Sequence, residues 1–553
     1  MNMPSSPWFV APIVIAVAMS SHAQESSEAF EPMEVHVTGS NGPILTISRG
    51  STAGVVKGDT VIFRRPGRQP LVGVVLRADE SESRVELENL EDGARVAIGA
   101  AGEVLVLQSR AATRSAESDV PEHPPWQEPV GTWAPGKPLL APVQSPMPEE
   151  RESELRGRVS TRLQYTDDSR GHRRYARWWT GIDLNWSNPA ERGGALRFKG
   201  DVSYRDAMSG SRTADETIFR VQRFSYLLGG RHGEPQGIEV GRFLSSVFPE
   251  FGLIDGVEYV RRFDDGDQVG GSLGFLPDFR DDLQTSNDLS TTLFYRWVES
   301  PEEKFALGLG YQKTWHDGSA DRDLIAGTLQ WIVGPRTSVR ASALVDYYDS
   351  TALLESQGFQ LTELHASVNQ RIGDKSGVSL FASYLDWPEL LKDELPVPAA
   401  TTISDQKVTR GGANAWVRVT DDVTIYARAD AWSDDRNSGS SADLRANLRD
   451  LLLEDSQLSV GAYQTQGSFS DALGARIEHT QWFGTTTVRV GYQPVQHSQT
   501  GFLGEQADLL QHALRLGIDS RLRDDVEAAF DADQRFGDEQ DSFTLQLRLT
   551  WRF

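Results

Sequence analysis

Most of this 553-residue sequence alternates apolar and polar residues with a period of two, which predicts an all-β chain dominated by one large antiparallel transmembrane β-barrel. Two further observations carry the prediction. The connections between alternating segments switch between short and long. The chain also ends on the unbroken alternation SFTLQLRLTWRF, about the eleven residues that a tilted strand needs to cross bilayer hydrocarbon. Counting the segments gives about 22 strands, within a range of roughly 18–22, preceded by a small all-β domain. Mean hydropathy is −0.41 and no apolar run reaches helical membrane-span length, so helical spans are excluded; alternating strands average to such a value.

The elements follow in order. Residues 1–23 read as a secretory signal peptide: an apolar stretch from Trp8 to Met19 precedes Ser21 and Ala23, the small residues at −3 and −1 before Gln24. That stretch is too short for the ~20 residues of a spanning helix. Residues 32–107 read as a compact β-domain, from the short runs MEVHV, PILTISRG, DTVIFRR, PLVGVVLRA, SRVELE and GEVLVL between Gly, Pro, Asp and Ser punctuation. Nine of the 26 prolines fall within 108–153, which reads as an extended linker or surface strap, with Trp126 and Trp133 as candidate anchors.

Residues 154–553 form the barrel. In RYARWWTGIDLNW, Ala176, Trp178, Thr180, Ile182, Leu184 and Trp186 share a face opposite Arg177, Gly181, Asp183 and Asn185, with Trp179 the exception among the polar set. Trp178 and Trp186 lie about 26 Å apart along a strand, which places them near the two edges of an apolar band. Short links (334–336, 421–422, 483–484, 523–525) alternate with longer polar ones such as DAMSGSRTADE, DSTALLESQG, SDDRNSGSS and HSQTGFLGEQ, the longest being 386–406. Short turns at one rim and long loops at the other are an arrangement of membrane barrels. Hydrocarbon cannot hold the charges of the second face, so they are expected to line a wet lumen: Arg197, Lys199, Asp201, Arg205, Arg340, Asp346, Arg428, Asp430, Arg489, Arg515, Asp519, Asp531, Asp533, Arg548 and Arg552. They serve either a polar passage or a salt-bridge lattice that stiffens the wall.

Little points to other chemistry. Net charge is −24, which speaks against a nucleic-acid partner, and the absence of cysteine removes disulfides and thiolate metal sites. HExxH, Walker A and GxGxxG patterns are absent, and no cofactor, metal or catalytic residue is assigned. His316 beside Asp317 is the one pair that suggests a surface hydrolase; His365, His479 and His512 fall singly within strands.

Three stretches carry resemblances. GSTAGVVKGDTVIFRR, through Gly50, Gly54, Val55, Gly58, Asp59 and Val61, resembles turn-and-strand units of small SH3-like barrels in periplasmic envelope proteins, flagellar assembly modules among them. Its glycines are expected at positive-φ turn positions. The last strand, with Leu545, Leu547, Leu549, Trp551 and Phe553 in alternate positions, resembles the C-terminal signal of Gram-negative outer-membrane β-barrel proteins, which the barrel-assembly machinery reads. Residues 239–275, through Gly241, Arg242, Gly252, Ile254, Asp255, Gly256 and Val257, resemble segments of outer-membrane porin-like proteins. The apolar loop there, with Phe248 and Phe251 between Arg242 and Asp255, either folds into the lumen as a constriction near Arg261 and Arg262 or packs under neighbouring loops.

These resemblances imply an outer-membrane barrel with its N-terminal domain in the periplasm. The expected function is a porin-like channel for polar solutes with a periplasmic docking or gating domain. The alternatives are an export or anchoring component, as in polysaccharide secretion, and a surface hydrolase. Expected partners are outer-membrane lipid and lipopolysaccharide, the latter through acidic loops and divalent cations, together with the assembly machinery and a periplasmic protein docking on residues 32–107.

Overall fold

The computed structural model describes residues 30–110 and 151–553 except 42–43, 64–70, 88–95, 97–99, 108–109, 172, 210–215, 230–234, 278–284, 286, 300–302, 335, 349–356, 374, 389–406, 435–436, 469 and 501–505. The candidate signal peptide, nearly all of the proline-rich segment with Trp126 and Trp133, and most of the longest loop lie outside the described residues.

Six strands form the N-terminal domain: β1 (Phe30–Asn41), β2 (Ile44–Ile47), β3 (Thr60–Phe63), β4 (Leu71–Ala78), β5 (Ser83–Leu87) and β6 (Ala101–Leu107). They close into a small barrel in the order β1-β2-β5-β4-β3-β6, every pair antiparallel. Its interior holds Val35, Val37, Leu45, Ile47, Val61, Phe63, Val75, Val85 and Val104, all buried. The glycine-rich turn divides its labour. Gly54 and Gly58 have φ of 78° and 101°, as expected, whereas Gly50 has φ −126°. Gly50 is needed for close approach instead, because a Cβ there would collide with the backbone of Asp79 and Glu80. Asp59 accepts hydrogen bonds from the Val56 amide (2.9 Å) and from Arg110 Nη2 (2.8 Å), tying the turn to the chain just beyond β6.

The second barrel contains 22 strands: β7 (Glu154–Asp168), β8 (Arg173–Ser187), β9 (Ala195–Ser209), β10 (Glu216–Gly229), β11 (Gln236–Leu244), β12 (Leu253–Arg262), β13 (Gln268–Leu276), β14 (Asp288–Val298), β15 (Phe305–His316), β16 (Ser319–Gly334), β17 (Thr337–Tyr348), β18 (Gly358–Ile372), β19 (Ser376–Leu385), β20 (Val408–Arg418), β21 (Val423–Ser433), β22 (Ser438–Arg449), β23 (Ser456–Gly467), β24 (Ser470–Phe483), β25 (Thr486–Thr500), β26 (Gln506–Arg523), β27 (Val526–Gly537) and β28 (Gln540–Arg552). Each strand pairs antiparallel with its sequence neighbours, and β28 closes on β7 from Ser542↔Asp168 to Arg552↔Arg158. The closure is completed by reciprocal backbone bonds between Gly157 and Phe553 at 2.8 and 3.0 Å. Closure leaves no unpaired edge in the large barrel.

The outward face is apolar. Trp178, Ile182, Trp186, Leu293, Leu309, Leu380, Leu444, Leu514, Leu547, Leu549, Trp551 and Phe553 all stand exposed on it. At the rim where β28 ends, Trp297, Phe305 and Trp331 form an edge-to-face row with centroids 5.5 and 6.2 Å apart, and Trp551 lies 4.8 Å from Phe553. Toward the opposite rim, Tyr347 meets Phe359 at 5.0 Å and His512 stacks between Tyr492 and Phe536. Aromatic rows flanking an apolar band are where indole and phenol rings settle at a membrane's two interfaces.

The rims differ, though less simply than strict alternation predicts. The longest connections, 277–287, 349–357 and 386–407, share one rim (the loop rim), and links such as 335–336, 373–375, 484–485 and 524–525 share the other (the turn rim). The loop rim also carries tight hairpins at 317–318, 468–469 and 538–539. Asp317-Gly318, with φ of 49° and 82°, has the positive-φ pair of a type I′ turn, whose twist matches that of its strands. Loop length is thus segregated in the longest connections only.

Candidate functional site

The small barrel sits against the turn rim of the large one. Arg449 Nη2, at the end of β22, reaches Glu86 Oε2 at 3.0 Å, and Asn447 reaches Glu86 Oε1 at 3.4 Å. Arg521 Nη2, near the end of β26, reaches Glu82 Oε2 at 3.1 Å, and Arg371 Nη1, at the end of β18, donates to the Gly58 carbonyl at 2.8 Å. Ile62 and Leu105 point away from the small barrel's own core and bury against Ile332 of β16. The run Val61-Ile62-Phe63 is therefore apolar on both faces because one face fills the domain core and the other meets the large barrel. With charged wall residues gathered around it, the small domain occupies the barrel mouth.

Those contacts identify the inward face, and strand register carries it around the wall: Asp519 stands opposite Ala529, Ala529 opposite Arg548, and Arg548 opposite Arg162. The sequence candidates share this face and knit neighbouring strands together. Arg489 lies 2.7 Å from Asp519 and 3.7 Å from Asp531, and Arg548 lies 3.4 Å from Asp519. Asp533 receives Arg515 at 3.1 Å and Arg535 at 2.9 Å. Asp430 receives Arg410 (2.9 Å), Arg428 (3.2 Å) and the Ser441 hydroxyl (2.7 Å). Arg552 pairs with Glu527 at 2.8 Å, and Asp346 takes a two-pronged contact from Arg322. Arg205 lies over the Tyr175 ring at 5.1 Å, Lys199 stands opposite Asp183, Arg197 opposite Asn185, and Arg340 opposite Gln330 and Ser367. The exception, Trp179, is explained by its neighbour: its indole lies over Gly181, where a Cβ would be 2.5 Å from the ring, while Nε1 donates to Asp201 at 3.1 Å.

The apolar loop lies on the inner wall. Phe248 and Phe251, both buried, stack with centroids 5.2 Å apart and pack on Phe294, Leu324, Ala326 and Leu344 of β14, β16 and β17. Gly308 and Gly310 of β15 make room for them, since a Cβ at either would collide with a phenyl ring. Gln312 donates to the Phe251 carbonyl at 3.0 Å, and Arg242 grips Asp255 with two bonds of 2.6 Å across the base of the loop. One expectation needs correction. Arg261 and Arg262 are at the far, turn-rim end of β12, where Arg262 faces Glu303 at 3.9 Å, because a strand of ten residues separates them from the loop. Arg242 itself is buried against Asp255 rather than set beside them.

Two cavities mark the other side of the lumen. One of about 510 Å³, toward the loop rim, is lined by Arg162, Gln164, Asp531, Asp533, Thr544 and Gln546, among others. The other, of about 440 Å³, lies between the small domain and the wall of β23–β28. His316 turns both ring nitrogens to carboxylates, Asp288 at 2.7 Å and Asp317 at 3.6 Å. His365 meets Glu363 at 2.9 Å. No cluster of metal-ligating side chains occurs among the described residues.

Sequence reasoning missed Arg158, Arg162, Arg322, Arg410, Arg449 and Arg476 on the inner wall. In SGSSADLRANLR, Ala442, Leu444, Ala446 and Leu448 alternate with Asp443, Arg445, Asn447 and Arg449, so the face of Arg449 was readable from the same pattern. Gly308 and Gly310, two residues apart on the inward face of FALGLGYQ, were the readable sign that something approaches that wall closely.

No protein-family model matches the chain, and no curated protein sequence matches it. Solved structures resemble it weakly. The translocation pore of the P pilus usher PapC is 9% identical with a TM-score of 0.45, the alignment covering 72% of this chain and 99% of the pore. Acinetobacter baumannii OccAB4 is 7% identical with a TM-score of 0.37 over 72% of this chain and 98% of its own, and Pseudomonas aeruginosa OccK3 (OpdO) is 11% identical with a TM-score of 0.37 over 72% and 96%.

Proposed function

We propose that the chain is an outer-membrane channel for small polar solutes whose N-terminal barrel domain closes most of its periplasmic mouth. The carrying observation is the reversal of polarity across a closed 22-strand wall: apolar outside between aromatic rows, charged inside, with a second folded domain held at one rim by Glu82, Glu86, Ile62 and Leu105. Only hydrocarbon is matched by the outer face. A barrel of this width leaves space that its own side chains do not fill. The N-terminal signal and the C-terminal Phe553 pattern support export and insertion by the assembly machinery, with the turn rim periplasmic. Membrane lipid would cover the belt, and lipopolysaccharide would surround the loop rim.

A gating role for the small domain is favoured over a pure docking role by where it sits. A module built to recruit a partner has no need of Ile62 and Leu105 buried against Ile332. Single-channel conductance in planar bilayers tests the reading, comparing the mature full-length protein with one lacking residues 24–153. The full-length protein is expected to give small steady openings and the truncated barrel several-fold larger ones; silence from both overturns the channel.

A further inference from the structure

The small domain does not seat evenly. Toward β16–β20, Ile62 and Leu105 pack on Ile332, and with Val72 and Trp416 they line a cavity of only about 40 Å³. On the opposite side the gap of about 440 Å³ is lined by charged and polar groups, among them Arg77, Asp79 and Arg84 of the small domain and Thr487, Asp519 and Arg548 of the wall. The loop rim repeats the asymmetry. The Phe248–Phe251 loop covers β14–β17, while the cavity of about 510 Å³ opens on β27, β28 and β7. The two large cavities lie on the same side of the wall and almost meet. Asp531 lines the upper one, Asp519 and Arg548 line the lower, and Arg489 bridges Asp519 and Asp531 between them.

We propose that the water-filled route through the barrel runs along β25–β28 and passes the small domain on that side only, with Arg489, Asp519, Asp531 and Arg548 as its selectivity-setting residues. The inference rests on the channel reading and adds the path. Apolar surfaces in contact exclude water, whereas a gap lined with ionised groups stays hydrated, since dehydrating them would cost several kcal/mol per ion. The two arginines and two aspartates balance in charge, so the route suits small zwitterionic or weakly charged polar solutes over strongly charged ones of either sign.

The chain has no cysteine, so an introduced thiol is the only one. Four single variants of the full chain form the test, all half-buried in the native protein: Thr487→Cys on the wall and Thr46→Cys on the small domain line the wide gap, and Asn414→Cys and Thr60→Cys line the tight side. A membrane-impermeant cationic thiosulfonate should label the first pair at least about tenfold faster than the second, since thiol reactivity follows exposure, and should abolish most of the current in the first pair alone. Equal rates, or faster labelling at Asn414→Cys and Thr60→Cys, overturn the route. Unmodified protein that carries no current overturns the channel reading instead, and the labelling rates still decide which side of the domain is hydrated.

Discussion

The two barrels of this chain use the same alternation and point it in opposite directions. In the small barrel, Val35, Ile47, Phe63 and Val85 turn inward and exclude water from a filled core. In the large barrel, Leu293, Leu309, Leu514 and Leu547 turn outward, and the inward face holds paired charge. Circumference accounts for the difference. Six strands enclose a space that side chains fill completely, so the interior is the driest place available. Twenty-two strands enclose far more space than side chains can fill, so the interior is wet and the dry medium must be outside. Apolar residues follow the dry medium in both cases.

Each barrel is vulnerable where it depends on its own solvent. Phe63→Ala should cost about 3–5 kcal/mol through loss of burial and the cavity it leaves, unfolding the small barrel alone. Protease digestion should then remove residues 30–107, while the large barrel keeps its heat-modifiable gel mobility; loss of both would show that the two fold as one unit. Leu547→Arg, on the outward face midway along β28, should destabilise the inserted barrel by about 2–4 kcal/mol in a urea titration in lipid vesicles. Gln546→Arg, one residue away on the wet face, should fall within about 0.5 kcal/mol of the native protein. Equal effects would mean that the outward face does not meet hydrocarbon.

Smaller effects sharpen the boundary between the barrels. Glu86→Ala leaves Arg449 and Asn447 without their carboxylate and should weaken seating of the small domain by about 1–3 kcal/mol, read as larger or more frequent channel openings. Glu82→Ala, at the more exposed pair with Arg521, should change seating by about 0.2–1 kcal/mol. The smallest effect is expected at Glu250 in the lumen loop, whose carboxyl is held above its ordinary value of 4.5, first by burial and further by the nearby Glu363. A raised carboxyl favours the packed loop in its protonated form. Packing of this loop is therefore fully supported below pH 4.5 and weakens as pH rises through the folded value. Amide exchange of residues 245–252, corrected for its intrinsic pH dependence, should show tighter protection on the acid side, and Glu250→Gln should remove the trend.

Much of the fold was legible because period-two patterning is a local property. The eleven residues from Phe543 to Phe553 show one outward face without reference to anything else, and the structure pairs that strand with β7 to close the wall. The common face of the charged residues was readable for the same reason: in RLGID, Arg515 and Asp519 necessarily share a face. Their partners were not readable. Asp519 meets Arg489 and Arg548 only because register aligns four successive strands, β25 to β28, and register depends on the whole ladder. The glycine turn of the small domain was half legible: Gly54 and Gly58 serve chain reversal, which sequence shows, and Gly50 serves a contact with residues near 80, which it does not.

By itself, then, the sequence determined the strand type, the medium that each face requires and the approximate strand count, since each follows from residue order within one strand. Tertiary structure alone decided that Phe248 and Phe251 lie on the inner wall, that Glu82 and Glu86 meet Arg521 and Arg449, and that the small domain leaves a wide gap on one side. Those contacts join residues tens to hundreds of positions apart, and no local pattern encodes them because either partner would look the same on a solvated surface.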